Sequence, residues 1–89
     1  MRMYLHVSGR VQGVGFRYAT KQKANDFELA GWVRNLEDGT VELEVEGKQE
    51  SIQRFIDTLK EGFHPFIRVD HINMETLEKS KGYNGFKIK

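Results

Sequence analysis

The 89-residue chain has no cysteine, one proline and one tryptophan. Without cysteine there is no disulfide framework, no thiolate zinc site and no cysteine nucleophile. Charge of one sign is lacking too, since 14 Lys and Arg face 13 Asp and Glu for a formal net charge of +1. Such a balance supplies no bulk attraction to nucleic acid or to an acidic membrane. No apolar run approaches the ~18 residues of a membrane-spanning helix, and Met1-Arg2-Met3-Tyr4 does not open like a signal peptide. His6, His64 and His71 are scattered, with no i, i+4 pair and no His-x-His, so no metal site is expected. Ser8, Thr20 and Ser51 lack a nucleophile elbow or a partnered base. Repeats, linkers and low-complexity tracts are absent. These exclusions leave a soluble single domain over residues 1–89, expected in the cytoplasm and compatible with a monomer. A chain this short buries only about 60–65% of its unfolded surface, so one sheet and its helices must make the whole core.

The apolar pattern supplies those elements. Met3, Leu5 and Val7 alternate with Tyr4, His6 and Ser8, the period of a half-buried strand. Next comes Gly9-Arg10-Val11-Gln12-Gly13-Val14-Gly15-Phe16-Arg17, with three glycines in its first seven residues. Phe16, Thr20, the stem of Lys23, Ala24 and Phe27 then share one side of a helix. Ala30–Leu36 and Thr40–Gly47 read as two strands, with Val41, Leu43 and Val45 facing one way and Glu42, Glu44 and Glu46 the other, toward solvent. The side-chain pattern selects the hairpin register. A three-residue loop, Glu37-Asp38-Gly39 with Gly39 left-handed, pairs Val33 with Leu43 and Arg34 with Glu42, whereas a two-residue turn would mix the faces. Trp32 and Arg34 are then assigned to packing and cross-strand pairing on the glutamate face.

Ile52, Phe55, Ile56 and Leu59 recur at i, i+3, i+4 and i+7, a second helix that Gly62 ends, with Pro65 beyond. A fourth strand is expected near Ile67–Glu75, with a bulge where the apolar phase slips at Asp70-His71. Glu75–Gly85 reads as a loop, and Phe86 with Ile88 as a short closing edge strand. The order β-α-β-β-α-β predicts the α+β ferredoxin-like sandwich, an antiparallel sheet with two helices on one face and a short extra C-terminal strand. A right-handed crossover makes the first two strands parallel, with the third between them. Their carboxyl ends share one sheet edge, so the glycine loop and Asn35 meet there.

A glycine loop opening a helix collects free backbone N–H groups at a positive dipole end, a setting suited to phosphate. The pattern is neither a Walker loop, whose second Gly and Lys are missing, nor a dinucleotide fingerprint, since Tyr18 stands where the last glycine belongs. Arg17 sharpens the reading. A cation in the first helical turn is disfavoured by about 0.3–1 kcal/mol unless an anion lies between it and the amides. Arg10 could add positive potential nearby, but it reads first as a solvated loop residue.

The loop Gly9-x-Val11-Gln12-Gly13-Val14-x-Phe16-Arg17, with Gly31-Trp32-Val33-Arg34-Asn35 and Asp38-Gly39-x-Val41-Glu42, resembles the acylphosphatase family over essentially the whole chain. The resemblance implies the same ferredoxin-like fold and metal-independent, cofactor-free hydrolysis of the carboxyl-phosphate bond of small acylphosphates. It implies that Arg17 binds phosphate with the amides of Gln12, Gly13, Val14, Gly15, Phe16 and Arg17, and that Asn35 orients the attacking water. An acylphosphate is a mixed anhydride with a good leaving group, so positioning and charge stabilisation suffice without a strong base. The substrate's own phosphate oxygens are available to take the water's proton. A small phosphate pocket is expected to leave the acyl group in solvent, with low selectivity. Family members usually carry glycine where this chain has Glu28, and Gly-Pro where it has Gly62-Phe63-His64-Pro65.

Two other classes compete. A non-catalytic phosphometabolite sensor would use the same cradle, as acylphosphatase-like domains inside larger maturation proteins suggest, but retention of both Arg17 and Asn35 favours catalysis. A ferredoxin-like RNA-binding module would need aromatics on the open sheet face, where this chain carries glutamates.

Overall fold

Period-two segments become sheet and period-3.6 segments become helix, in the order read from the sequence. The computed structural model describes residues 1–89 as β1 (Arg2–Arg10), α1 (Phe16–Asp26), β2 (Ala30–Asn35), β3 (Val41–Glu46), α2 (Gln49–Lys60), β4 (Arg68–Leu77) and β5 (Phe86–Ile88). The strands form one sheet in the order β4-β1-β3-β2-β5. β3 lies antiparallel between β1 and β2, which therefore point the same way and end at the same sheet edge. Both helices contribute to a single core: Phe16, Ala19 and Ala24 from α1, and Ile52, Phe55, Ile56 and Leu59 from α2, join Leu5, Val7, Val33, Leu43 and Val45 from the sheet. The architecture is the ferredoxin-like α+β sandwich.

The hairpin register follows the side-chain argument. Val33 faces Leu43 and Arg34 faces Glu42. Leu36 and Thr40 close the three-residue loop through Leu36 N–H donating to the Thr40 carbonyl at 2.8 Å. Gly39 holds φ of 91°, the left-handed conformation this loop requires. The bulge also falls in the expected place: Ser8 faces His71 and Gly9 faces Val69, leaving Asp70 without an opposite residue.

Three expectations need correction. β4 continues to Leu77 rather than ending at Glu75, because Arg2 and Met3 of β1 extend the ladder to Leu77 and Thr76. The sheet is antiparallel only through its first four strands, since β5 pairs parallel with β2, Gly31 facing Phe86 and Val33 facing Ile88. Parallel pairing follows from the route of the chain. β4 and β5 occupy opposite sheet edges, so the intervening segment crosses beside Arg2, Glu46 and Gly31 before turning back along β2.

The third correction concerns Glu42, Glu44 and Glu46, which are partnered rather than solvated. Glu42, only 8% exposed, accepts from the Tyr4 hydroxyl at 2.6 Å and pairs with Arg34. Glu44 takes Arg2 and the Tyr83 hydroxyl, both at 2.7 Å. Glu46 accepts the Lys81 and Tyr83 amides at 2.5 and 3.1 Å. Trp32 completes this face, its indole N–H donating to the Tyr83 hydroxyl at 3.2 Å and the Lys89 ammonium 4.4 Å from its ring centroid. Burial raises the Glu42 carboxyl, but hydrogen bonds from Tyr4 and Arg34 outweigh it and hold the group below its ordinary range. Burial and the same bond push the Tyr4 phenol up to about 12.

Candidate functional site

The turn between β1 and α1 is fixed at both ends by buried side chains. Val11 and Phe16 are each 1% exposed. Phe16 stacks on Phe63 with ring centroids 5.9 Å apart and Phe63 continues to Phe55 at 5.8 Å, tying the start of α1 to the segment after α2. Between these anchors the backbone adopts left-handed φ at Gly13 (74°) and Gly15 (78°). A Cβ at either position would meet no protein atom within 4 Å, so glycine is required there for its backbone conformation and not for packing space.

The result is a ribbon of unpaired donors. No backbone N–H from Gln12 to Tyr18 donates a hydrogen bond within the protein; the first α1 bond is Ala19 N–H to the Gly15 carbonyl at 3.0 Å. The N-terminal turn of a helix leaves such donors free and adds the positive end of its dipole. No acidic side chain occupies this turn to absorb that potential. Arg17 stands in the same turn, half-buried, with Nη1 donating to the Lys89 carbonyl at 3.3 Å and its other donors free.

Asn35 closes the opposite side. It is the last residue of β2, is exposed, and its side-chain amide has no hydrogen-bond partner in the protein. A cavity of about 210 Å³ is lined by Val11, Gly13, Gly15, Phe16, Arg17, Tyr18, Asn35 and Ile88. The structure thus brings Arg17, Asn35, Gly13, Gly15 and Phe16 together. Gln12 and Val14 do not line the cavity: Val14 packs on the core, and Gln12 Nε2 donates to the Leu36 and Thr40 carbonyls at 2.7 and 2.8 Å. Only their backbone N–H groups remain for an anion. The Gln12 side chain instead couples the loop to the hairpin that carries Asn35.

Tyr18 and Ile88 were not singled out for this site by the sequence reading. Tyr18 directly follows Arg17 on a helix turn, a usable signal. Ile88 reaches the cavity only because β5 pairs with Val33, which a three-residue strand does not announce. No carboxylate or imidazole lines the cavity, and no group of three or more His, Cys, Asp or Glu is arranged to hold a metal ion.

The chain is an α+β domain of ferredoxin-like fold that gathers free amides, a guanidinium and a carboxamide at one sheet edge, donors of the kind that suit an anion. Comparison with known proteins narrows that class. The acylphosphatase family profile matches residues 3–88. An acylphosphatase of Bacillus licheniformis is 44% identical over 82 residues, 92% of this chain and 90% of that protein. The crystal structure of acylphosphatase from Bacillus subtilis superposes with a TM-score of 0.94 at 41% identity, covering 100% of this chain and 99% of its own. Full-length HypF in its phosphate- and nucleotide-bound form contains a similar fold, with a TM-score of 0.87 and 32% identity over 99% of this chain and 11% of HypF. The chain belongs to the acylphosphatase family, and acylphosphate hydrolysis is the activity that membership carries.

Proposed function

We propose that the protein hydrolyses acylphosphates without a metal, holding the phosphoryl group with the amides of residues 12–17 and Arg17 and the attacking water with Asn35. The observation that supports this reading most is the convergence of unpaired amides, Arg17 and Asn35 on one cavity. Positive φ at Gly13 and Gly15 lets successive N–H groups turn toward a common point, and the α1 dipole adds to their field. Arg17 offers a planar fork of donors to two phosphate oxygens. All these donors strengthen as negative charge gathers on the phosphoryl oxygens.

The Asn35 carboxamide accepts from the water and aims its oxygen at phosphorus, opposite the acyl oxygen. The new bond forms between water oxygen and phosphorus, the bond from phosphorus to the acyl oxygen breaks, and the carboxylate leaves with the bonding electrons. The water's proton passes to a phosphate oxygen, giving inorganic phosphate. Metal independence rests on the lining, which offers neutral or cationic donors and no anionic ligand. A cavity of about 210 Å³ fits a small-molecule substrate. Nucleic acid is disfavoured as a partner by the balanced charge, 14 Lys and Arg against 13 Asp and Glu, which supplies no basic surface for phosphates.

Hydrolysis of benzoyl phosphate, followed by absorbance with and without EDTA, tests the reading. Turnover should be equal in both and competitively inhibited by inorganic phosphate. Phosphate should raise Tm at matched ionic strength, because it binds only the folded cradle. Loss of activity to chelator with rescue by a divalent ion would refute metal independence, and binding without turnover would select a sensor.

A further inference from the structure

Five large hydrophobic residues are exposed in this chain: Met1, Tyr18, Phe66, Met74 and Ile88. Two of them, Tyr18 at 64% and Ile88 at 40% exposure, border the cavity that holds Arg17 and Asn35. Isolated exposed apolar residues need no explanation, but a pair brought from distant parts of the chain to the mouth of one polar site does. Tyr18 is fixed one residue beyond Arg17 on α1. Ile88 is fixed by β5, through its pairing with Val33 and the Lys89 N–H bond to the Val33 carbonyl at 2.8 Å.

We propose that Tyr18 and Ile88 form a subsite for the acyl group, so that the enzyme prefers aryl acylphosphates over small alkyl ones. The proposal rests on the phosphate cradle described above and adds what lies outside it. With the phosphoryl group held by the amides and Arg17, the acyl carbon is joined to it through a single bridging oxygen. The acyl substituent therefore leaves the cradle at the cavity mouth. The polar side chains there, Arg17 and Asn35, are engaged with phosphate and water, and the remaining side chains at the mouth are Tyr18 and Ile88. A planar ring lying against the Tyr18 ring and the Ile88 side chain removes apolar surface from water on both partners. The Tyr18 side chain stands 64% exposed, which leaves its ring open for an aryl group to cover. An acetyl methyl offers far less apolar surface than a phenyl ring to cover against them. The expectation of an acyl group left in solvent is thereby replaced by one of modest selectivity, expressed in binding rather than in the chemical step.

The test compares kcat and KM for benzoyl phosphate and acetyl phosphate in the wild type, Tyr18→Ala, Tyr18→Phe and Ile88→Ala. Benzoate and acetate differ as leaving groups, so the informative quantity is the change in the ratio of the two kcat/KM values. Tyr18→Ala should lower the benzoyl-to-acetyl ratio roughly fivefold through the KM for benzoyl phosphate, the size of an aromatic contact. Ile88→Ala should lower it in the same direction, and Tyr18→Phe should keep it within about twofold, since the ring is retained. An unchanged ratio in Tyr18→Ala would overturn the proposal. So would an equal loss in Tyr18→Phe, which would implicate the hydroxyl, or a change confined to kcat, which would indicate a disturbed phosphate position. Wild-type protein inactive on both substrates would instead overturn the hydrolase reading, and the subsite with it.

Discussion

The side chain of Gln12 donates to the carbonyl of Leu36 at 2.7 Å, joining the phosphate loop to the residue immediately after Asn35. A second bond from the same nitrogen, 2.8 Å to the Thr40 carbonyl, makes the link a two-point clamp across the mouth of the β2–β3 hairpin. The relative placement of the glycine loop and Asn35 thus depends on a side chain that does not line the cavity between them. Gln12→Ala removes one of two donors from each carbonyl, since Leu36 N–H still serves Thr40 and Gly39 N–H still serves Leu36, and should cost about 0.5–1.5 kcal/mol of stability. It should also lower kcat more than it raises the phosphate inhibition constant, because the amides stay on their own loop while Asn35 loses its fixed distance. Denaturant unfolding beside steady-state kinetics checks both parts. Equal loss of kcat and phosphate affinity would place Gln12 in the cradle itself.

Glu28 sits where α1 hands the chain to β2, and its φ is 57°, left-handed for a residue with a Cβ. Glu28 N–H donates to the Asn25 carbonyl at 3.0 Å and Leu29 N–H to the Ala24 carbonyl at 2.8 Å, the pattern of a helix end that glycine normally completes. Glu28→Gly removes the left-handed penalty while adding some freedom to the unfolded chain, and should stabilise by about 0.5–1 kcal/mol. The site lies at the other end of α1, so kcat should not change. A fall in the urea midpoint would show that the Glu28 side chain contributes more than its backbone costs.

Most of the fold was legible because each element obeys one local rule. Val33 against Leu43 followed from alternation plus a left-handed glycine, and the Asp70 bulge from a single slip of phase. Arg17 and Asn35 could be placed at one edge because a right-handed crossover allows no other arrangement. What escaped were relationships between segments distant in sequence. Glu44 and Glu46 looked solvated because their partners Arg2, Lys81 and Tyr83 lie some 35 to 42 residues away. Gln12 looked like one more loop amide, since nothing in the sequence says where a glutamine side chain points. Ile88 was hidden by the shortness of β5, and parallel pairing by the length of the crossing segment.

The polar face of the sheet fixes how stability responds to pH. Asp38, Glu42 and Glu46 are all held below the ordinary carboxylate range: Asp38 by the Thr40 hydroxyl and amide, Glu42 by Tyr4 and Arg34 against its burial, and Glu46 by the Lys81 amide and its neighbours against its own. A depressed carboxyl contributes stability above its unfolded pKa of about 4.3 and loses it as pH falls through the folded value. Tyr4 works at the other limb. Its phenol, raised to about 12, contributes fully below the unfolded pKa near 10 and loses that contribution as pH rises through the folded value. Unfolding free energy measured against pH should therefore fall below about pH 4 and again above about pH 10. Tyr4→Phe should flatten part of the alkaline limb, which the Tyr83 phenol, raised by burial and its bond to Glu44, shares, and Glu42→Gln should flatten part of the acid one. An alkaline limb unchanged in Tyr4→Phe would remove Tyr4 as its source.

The division of labour between Arg17 and Asn35 carries the whole account of the site. On the proposed mechanism Arg17 contacts phosphate in ground and transition state alike, so Arg17→Ala should weaken phosphate inhibition and turnover together, and lysine should rescue poorly because a point charge lacks the planar fork. In the proposed mechanism Asn35 holds only the water, whose position matters as the new bond to phosphorus forms. The deciding measurement is kcat together with the phosphate inhibition constant in Asn35→Ala, beside Arg17→Ala. The expected result is a loss of roughly 10²-fold or more in kcat for Asn35→Ala, with phosphate affinity close to wild type. Near-normal turnover in Asn35→Ala, or a loss of phosphate affinity as severe as that of Arg17→Ala, would contradict it.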